Sequence, residues 1–197
     1  LGSIENVAKA KAEIVEGMKP GGTAVLNADD PRVAAMRSLS MGRTITFGLS
    51  NESDVRADNF RFERFGTTRF TLTLGGHEAD VAFRLNGKHN ILNALAAAAV
   101  GVSFDMTVSE IASALSTVGP PPQRGEVLHF ADGFTVINDS YNSNPAALLS
   151  MIDTLVEGSG DATRRIVVAG EMMELGDYAA AIHRETGEKI ASAKVDF

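Results

Sequence analysis

One short pattern constrains the fold of this chain more than any other: an apolar run that breaks abruptly into polar residues and then into a helix start. Residues 133–145, GFTVINDSYNSNP, show it most clearly. The run that ends at Ile137 predicts a buried strand, and Asn144-Pro145 predicts a helix N-cap followed by the first helical position. Ligands bind beyond the carboxyl ends of strands in open α/β sheets, so residues 139–144 lie where a substrate or nucleotide would be handled. A connecting loop rich in turn-forming residues explains this segment equally well when it is taken alone.

A second copy of the pattern stands near the start of the chain. Residues 23–26 predict a short buried strand, residues 27–31 a polar turn, and residues 31–36 a helix. Residues 44–47 predict a further strand. Beyond it the apolar residues alternate, which predicts an antiparallel meander whose hairpin turn is Gly75-Gly76. The meander strands are predicted over residues 55–62, 67–74 and 78–85. This order of elements predicts an α/β fold.

The first helix is predicted over residues 1–18, with Ser3 as its cap. Its apolar stripe consists of Ile4, Val7, Ala8, Ile14, Val15 and Met18. Lys11 lies four residues after Val7 and three before Ile14, so it falls on this stripe, whereas Lys9 falls on the charged face. One interpretation is snorkelling, in which the methylene stem packs and the ammonium group reaches water. The other is a lysine that an otherwise buried helix face brings to a functional site.

Two asparagines stand in the first turn of the next long helix, which is predicted to run to about Gly101 and to be followed by a helix over residues 107–117. Asn90 and Asn93 are three residues apart and therefore share one face. An asparagine amide offers a donor and an acceptor side by side, which the N6 and N7 edge of adenine requires. The alternative is that Asn90 caps the helix and Asn93 bonds to nearby backbone.

Gly119–Gly125, GPPPQRG, is the clearest boundary in the chain, because three prolines flanked by glycines continue neither a helix nor a central strand. We interpret it as an interdomain hinge between domains of residues 1–124 and 125–197. Arg124 stands at its end, where a planar donor fork suits a phosphate or a carboxylate, although surface arginines are common. Beyond it, a hairpin, a helix, a strand and a helix are predicted over residues 126–137, 145–156, 165–169 and 179–193. The strand–helix–strand order predicts a right-handed parallel crossover that places Asp139 and Glu171 at the same sheet edge.

Composition limits the partners. The chain has 197 residues, 44% of them hydrophobic, which is enough for one large or two small globular domains. A formal net charge of −7 disfavours a nucleic acid or an acidic membrane, since both normally require a basic face. The absence of cysteine excludes a disulfide framework, a thiolate nucleophile and a zinc–thiolate site, and it fits a reducing cytoplasm. The longest apolar stretch, residues 94–102, is too short to span a bilayer and no signal peptide opens the chain, so we expect a soluble protein with no membrane insertion.

Several segments together resemble the Mur ligases, ATP-dependent amide-forming enzymes of the peptidoglycan synthesis that underlies cell wall, cell shape and cell division. The segments are VAKAKAEI at 7–14, AVLNADDP at 24–31, GKHNILNALAAAA at 87–99, NDSYNSNP at 138–145 and GEMMELG at 170–176. The asparagine pair is shared with Mur ligases generally, whereas the last two segments are similar to those of the member that uses D-alanyl-D-alanine. The resemblance implies part of a central nucleotide-binding α/β domain that includes the strand meander, followed by part of a Rossmann-like C-terminal domain.

The resemblance also implies a chemistry. The family phosphorylates a carboxylate with ATP and then lets an amine attack the acyl phosphate. The implied acceptor is the carboxyl end of UDP-N-acetylmuramoyl-tripeptide, and the implied amine is that of D-alanyl-D-alanine. Because carboxylate and triphosphate repel each other, Mg2+ and cationic groups have to neutralise them while the reactants are held in line. A cytoplasmic monomer is expected.

Individual roles follow from the same resemblance. Lys11 matches a lysine that is carbamylated in the family and helps to hold Mg2+, and a lysine, with a reference pKa of about 10.4, becomes neutral for that reaction more easily when it is desolvated. Asn90 and Asn93 match adenine-side residues, while Arg124 and Asp139 match residues that close on the nucleotide's phosphates and ribose respectively. The residues expected nearer the amine substrate are Tyr141, Asn142, Asn144 and His183.

The chain departs from the family in one respect. No G-x-x-x-x-G-K-[ST] phosphate loop occurs in its sequence, whereas the family's central domain carries one upstream of the region that matches Leu1. We therefore expect an internal fragment that has no ligase activity alone and binds ATP weakly if at all, because the backbone amides that cradle phosphates are missing. The alternatives are another Mur-type ligase, such as a folylpolyglutamate synthase or a different amino-acid-adding member, and a non-catalytic nucleotide-binding or interaction module.

Overall fold

The structure is a computed structural model that describes residues 2–50, 52–63, 66–85, 87–162 and 164–197. The α-helices are α1 (Ile4–Glu16), α2 (Pro31–Ala35), α3 (Lys88–Ser103), α4 (Val108–Thr117), α5 (Pro145–Gly158) and α6 (Ala179–Ser192). The strands are β1 (Thr23–Asn27), β2 (Arg43–Gly48), β3 (Val55–Glu63), β4 (Thr67–Leu74), β5 (His77–Phe83), β6 (Glu126–His129) and β7 (Thr135–Asn138). Short 3-10 helices occupy Met36–Leu39 and Gly176–Tyr178.

The larger sheet has five strands in the order β1-β2-β3-β4-β5. β1 and β2 are parallel, with Thr23 opposite Arg43, and β2 continues parallel to β3, with Phe47 opposite Val55. The turn from β4 to β5 is Gly75-Gly76, whose φ angles of 56° and 81° suit a tight hairpin between antiparallel strands. The predicted strands of this region and its glycine turn are confirmed, and so is the α/β class.

Helix α3 supplies much of the core next to this sheet. The helix lies against β1 and β2, and its inward side chains are buried: Ile91, Ala94, Leu95, Ala98 and Ala99. The small alanines allow the helix to approach the strands closely, while the larger Ile91 and Leu95, both 0% exposed, fill the remaining space. The alanine-rich stretch that the sequence analysis judged too short to span a bilayer is thus a core element.

Helix α1 begins as predicted, because the Ser3 hydroxyl accepts a hydrogen bond from the Asn6 amide. The predicted apolar stripe, however, is only half correct. The buried side of the helix carries Ala12 and Val15, and Ile14 on the neighbouring stripe is 80% exposed. Lys11 is also exposed, so the prediction that it lies on a buried face is wrong. The physical reason is that the core cluster beside α1, which includes Leu26 and Met36, is contacted by the side of the helix that carries Ala12 and Val15.

Beyond the proline segment, β6 and β7 form a separate antiparallel two-stranded sheet, in which Val127 lies opposite Ile137. The predicted hairpin is therefore confirmed, but the buried character of the strand that precedes residue 139 is not. Phe134 is 50% exposed and Val136 is 38% exposed. Phe130 and Phe134 stack on each other across the hairpin with their ring centroids 4.5 Å apart. A two-stranded sheet leaves apolar side chains exposed wherever no further layer covers its faces.

The strand predicted over residues 165–169 does not form, and the predicted parallel crossover to the strand before Asp139 is therefore absent. The backbone groups of this segment bond to residues 196 and 197 instead. The Val167 amide donates to the Phe197 carbonyl oxygen at 2.7 Å, and the Asp196 amide donates to the Arg165 carbonyl oxygen at 2.8 Å. The placement of Asp139 and Glu171 at one sheet edge loses its basis, because pairing with the end of the chain replaces pairing with β7.

The chain divides into two compact units. Unit 1 consists of Leu1–Phe60, Arg69–Ala82 and Lys88–Thr117, and unit 2 consists of Arg61–Thr68, Phe83–Gly87 and Val118–Phe197. The predicted domain boundary between residues 124 and 125 stays a prediction. None of the helices formed by the described residues has the length and apolar composition that crossing a bilayer requires.

Candidate functional site

The asparagine pair in unit 1 lies on one face of α3, as its spacing predicted. The Asn93 side-chain amide donates to Oδ1 of Asn90 at 3.4 Å. Helix α3 begins at Lys88, so Asn90 lies inside the first turn and is not the N-cap. Asn93 is exposed and Asn90 is half-buried. The pair therefore presents amide donors and acceptors on an accessible part of the helix start, which is the chemistry that an adenine edge needs.

Lys11 lies on the exposed face of α1, beside the exposed Ile14. Its exposure means that burial gives no assistance to carbamylation of this lysine. Among the residues that the structure describes, no group of three His, Cys, Asp or Glu side chains could hold a metal ion.

The polar turn after β1 is occupied by its own hydrogen bonds. Asp29 accepts from the amides of Leu49 at 2.8 Å and Ser50 at 3.2 Å, and it thereby ties the end of β1 to the end of β2. Asp30 caps α2 by accepting from the Arg32 amide at 2.9 Å. The Arg32 side chain, and then its amide, lower the pKa of Asp30 by donating hydrogen bonds to its carboxylate. These contacts give the AVLNADDP segment a structural role.

The loop between β7 and α5 combines turn chemistry with accessible polar groups. The Ser140 hydroxyl donates to Oδ1 of Asn138 at 2.8 Å, and Oδ1 of Asn144 caps α5 by accepting from the Ala147 amide at 2.9 Å. Asn142 is exposed and its Oδ1 accepts from the Ser143 amide at 2.9 Å. Asp139 is half-buried. The predicted N-cap is confirmed, and the cap uses the side-chain carbonyl oxygen of Asn144.

Arg124 and Tyr141 lie against each other in unit 2. The guanidinium carbon of Arg124 is 4.1 Å from the centroid of the Tyr141 ring. The Tyr141 amide also donates to the Gln123 carbonyl oxygen at 3.1 Å. Sequence reasoning named Arg124 and Tyr141 separately, for phosphate and for amine substrate, and did not foresee their contact.

His183 is held by hydrogen bonds at both ring nitrogens. Nε2 accepts from the Met172 amide at 2.9 Å, and Nδ1 lies 2.8 Å from the Ala179 carbonyl oxygen. A carbonyl oxygen only accepts, so Nδ1 carries the proton and the imidazole is neutral in this arrangement. His183 therefore anchors the GEMMELG loop, in which Met172 is buried, to the first turn of α6.

Two residues that the sequence analysis overlooked support this region. Oε2 of Glu126 accepts from the Gln123 amide at 3.3 Å and from the Asn138 side-chain amide at 3.4 Å. Gln123 itself has a φ of 62°, which non-glycine residues rarely adopt. No sequence signal identifies Glu126, but the turn sequence Pro-Pro-Gln-Arg could have indicated a turn with Gln123 at its left-handed position. Among the predicted residues, the structure joins Asn90 with Asn93 and Arg124 with Tyr141, and the ligand roles of all the predicted residues stay predictions.

Comparisons with known proteins cover nearly the whole chain. Residues 1–101 match the family described as Mur ligase middle domain, and residues 123–197 match the family described as Mur ligase, glutamate ligase domain. A curated relative from Mycobacterium tuberculosis, UDP-N-acetylmuramoyl-tripeptide–D-alanyl-D-alanine ligase, is 39% identical over 95% of this chain and 38% of its own length. The chain thus spans about two fifths of that relative.

Solved structures show the same fold. MurF from Acinetobacter baumannii superposes with a TM-score of 0.88 at 24% identity, over 99% of this chain and 42% of that one. MurF ligase from Thermotoga maritima, in complex with ADP, superposes with a TM-score of 0.82 at 24% identity, over 98% of this chain and 43% of that one. At these identities the likeness concerns the fold, and the predicted α/β fold shared with the Mur ligases is confirmed, although the C-terminal part lacks the predicted parallel crossover.

Proposed function

Because the chain belongs to the Mur ligase family, we propose that it is part of an ATP-dependent ligase that joins D-alanyl-D-alanine to UDP-N-acetylmuramoyl-tripeptide in peptidoglycan precursor synthesis. The observation that carries this proposal is the 39% identity, over 95% of the chain, to a relative that bears the name of this activity. The whole enzyme to which the chain would belong is called the parent enzyme below.

The proposed reaction consists of two transfers. An oxygen of the tripeptide carboxylate attacks the γ-phosphorus of ATP, and ADP leaves. The free amine of D-alanyl-D-alanine then attacks the acyl carbon, phosphate leaves, and the nitrogen loses a proton as the amide forms. Cationic groups have to offset the repulsion between carboxylate and triphosphate in the first transfer.

Residues of this chain suit the nucleotide side of that reaction. The accessible amides of Asn90 and Asn93 share one face and match the donor and acceptor needs of adenine. The Arg124 guanidinium is exposed and permanently charged, which suits a phosphate group. Asp139, half-buried at the end of β7, is proposed to bind the ribose. A related fold that holds ADP, the Thermotoga maritima ligase, supports nucleotide use.

Residues proposed for the amine substrate lie in unit 2. Asn142 and Asn144 expose side chains on the loop before α5, and Tyr141 is 63% exposed on the same loop. His183 would act on this substrate through the GEMMELG loop, because both of its nitrogens are already engaged. We further propose that the parent enzyme is cytoplasmic and monomeric, and that its domain boundary lies between residues 124 and 125.

Lys11 gives the proposal a sharp internal test, because the same helix offers a matched control. We propose that Lys11 becomes a carbamate that contributes a ligand for Mg2+. Lys9 is also exposed on α1 and has no proposed role. In the parent enzyme, Lys11→Ala should abolish phosphate release, whereas Lys9→Ala should stay within about twofold of the unchanged protein. A carbamate signal in 13C NMR under 13CO2 should disappear with Lys11→Ala alone.

The experiment on the function itself measures phosphate release with ATP, UDP-N-acetylmuramoyl-tripeptide and D-alanyl-D-alanine. The parent enzyme should release phosphate only when all three are present, and the isolated 197 residues, which contain no G-x-x-x-x-G-K-[ST] sequence, should release none. Turnover with another amine in place of D-alanyl-D-alanine would identify a different Mur-type ligase. No turnover with any amine, together with retained ADP binding, would favour a non-catalytic nucleotide-binding module.

A further inference from the structure

The segment before β6 contains an unusual backbone conformation. Residues 121–124 form a turn in which the Arg124 amide donates to the Pro121 carbonyl oxygen at 3.2 Å. Pro122 and Gln123 occupy its central positions, and the φ of 62° at Gln123 is typical of the second central position of a type II turn, where glycine is usual. A glutamine keeps this conformation only where its surroundings fix it.

Both backbone groups of Gln123 are fixed by unit 2. Its amide donates to Oε2 of Glu126 at 3.3 Å, and its carbonyl oxygen accepts from the Tyr141 amide at 3.1 Å. Oε2 of Glu126 also accepts from the Asn138 side chain at 3.4 Å. The turn is therefore bonded directly to Tyr141 and, through Glu126, to Asn138, and these two residues are the ends of the segment 138–141 at the carboxyl end of β7.

The side chains add a third connection. The Arg124 guanidinium lies over the Tyr141 ring, with 4.1 Å from its carbon to the ring centroid. A guanidinium carries five N–H donors, so an arginine that makes this cation–π contact can still donate to an anion. The ring thus restricts the orientation of Arg124 and leaves its donors available to an anion.

We propose that Tyr141 is the positioning residue for Arg124, and that residues 123–126 and 138–141 move as one body. The Tyr141 ring sets the plane of the Arg124 guanidinium. The Tyr141 backbone amide fixes the left-handed turn at Gln123. The role of Arg124 in binding a nucleotide phosphate rests on the proposed function. The contact between Arg124 and Tyr141 does not depend on it.

The contact is tested first in this chain, without substrates. An arginine stacked on an aromatic ring has its Cδ protons shifted upfield by the ring current, and we expect this shift, and an NOE to the Tyr141 ring, for Arg124. Tyr141→Phe should keep the shift, because the ring remains, and Tyr141→Leu should remove it. The chain contains one other tyrosine, Tyr178, which is 74% exposed, and Tyr178→Leu should leave the shift unchanged.

The unchanged protein alone can overturn this part of the proposal. Unshifted Arg124 protons and no NOE to the Tyr141 ring would refute the contact even if Tyr141→Leu failed to fold. A shift that persists in a folded Tyr141→Leu protein would also refute it.

Kinetic measurements on the parent enzyme test the consequence of this contact for ATP binding. Loss of a cation–π contact at an exposed site is expected to weaken ATP binding by about two- to fivefold. Tyr141→Leu should raise KM for ATP by that factor with a smaller effect on KM for the amine, and Tyr141→Phe should restore it. An effect confined to KM for the amine would show that Tyr141 contacts that substrate and would refute the positioning role. An inactive parent enzyme would contradict the proposed function, while the NMR result would still decide the contact.

Discussion

Gly48, the last residue of β2, lies so close to Asp29 that even a methyl group should displace that carboxylate. A Cβ atom built on Gly48 would be 2.6 Å from Oδ1 of Asp29 and 2.8 Å from Oγ of Ser53. Asp29 is exposed and has a short, rotatable side chain, so it can swing toward solvent. In doing so it gives up the hydrogen bonds from the Leu49 and Ser50 amides.

The size of the effect follows from those two bonds. Each hydrogen bond contributes about 0.5–1.5 kcal/mol net, so the loss of both costs about 1–3 kcal/mol. Replacing glycine by alanine also restricts the unfolded chain, which returns about 0.4–1 kcal/mol. Gly48→Ala should therefore lower the free energy of unfolding by about 0.5–2 kcal/mol. The Leu49 and Ser50 amides should exchange with deuterium faster than in the unchanged protein.

A double-mutant cycle identifies the cause. In an Asp29→Ala background the two bonds are already gone, so Gly48→Ala should cost less there, and only the displacement of the Ser53 hydroxyl remains. The matched control is Gly187→Ala in α6, where nothing beyond the adjacent residues and the backbone of the helix itself lies within 4 Å of the added Cβ. It should raise the free energy of unfolding by about 0.5–1 kcal/mol. Urea unfolding followed by circular dichroism measures all five proteins: the unchanged protein, the two single variants, the double variant and the Gly187→Ala control. Equal costs of Gly48→Ala with and without Asp29 would refute the reasoning.

Three further predictions concern other parts of the chain. His183→Leu removes the acceptor of the Met172 amide, and this amide should therefore lose protection in hydrogen–deuterium exchange. Undiminished protection would show that the GEMMELG loop does not depend on His183. Glu110 accepts from the amide and the hydroxyl of Thr107, and these bonds, the amide first, lower the pKa of Glu110. The stabilisation that these bonds give is full above the ordinary carboxyl pKa of 4.5 and is lost as pH falls through the lowered pKa. Glu110→Gln should therefore lower the free energy of unfolding at pH 7 and have no effect in acid. Urea titrations at several pH values would measure this difference. Leu95→Ala, at a side chain with 0% exposure, should cost about 2–5 kcal/mol in urea unfolding, and a loss below 1 kcal/mol would contradict its place in the core.

Local patterns predicted much of the fold, because the forces behind them act over a few residues. Ser3 and Asn144 were recognised as caps from their position before an apolar, helix-forming segment, and both accept the expected amide. Gly75-Gly76 was recognised as a hairpin turn because positive φ angles suit glycine, and both glycines have them. The spacing of Asn90 and Asn93 placed them correctly on one face.

Burial was harder to predict, because it depends on what packs against an element. Periodicity alone does not distinguish Val15, which is buried, from Ile14, which is 80% exposed. The same limit explains the wrong placement of Lys11 on a buried stripe. The apolar run ending at Ile137 likewise predicted a buried strand, whereas Val136 is 38% exposed in a two-stranded sheet.

Contacts between distant segments were also beyond the sequence. Residues 165–169 have strand-forming composition, but hydrogen bonds to Asp196 and Phe197 take the place of a parallel strand pair. The stacking of Arg124 on Tyr141 joins residues 17 positions apart, and neither residue carries a signal for the other. Such pairings follow from the tertiary arrangement, which a single sequence taken alone does not specify.

The most direct test of the proposed ligase activity is the identity of the amine that the parent enzyme consumes. With ATP, UDP-N-acetylmuramoyl-tripeptide and an equimolar mixture of D-alanyl-D-alanine, L-alanine and glutamate, mass spectrometry of the product measures the choice. The proposal predicts a product heavier by one D-alanyl-D-alanine residue pair, formed together with one phosphate for each amide. A product that contains L-alanine or glutamate, or no product while D-alanyl-D-alanine and ATP are present, would contradict it.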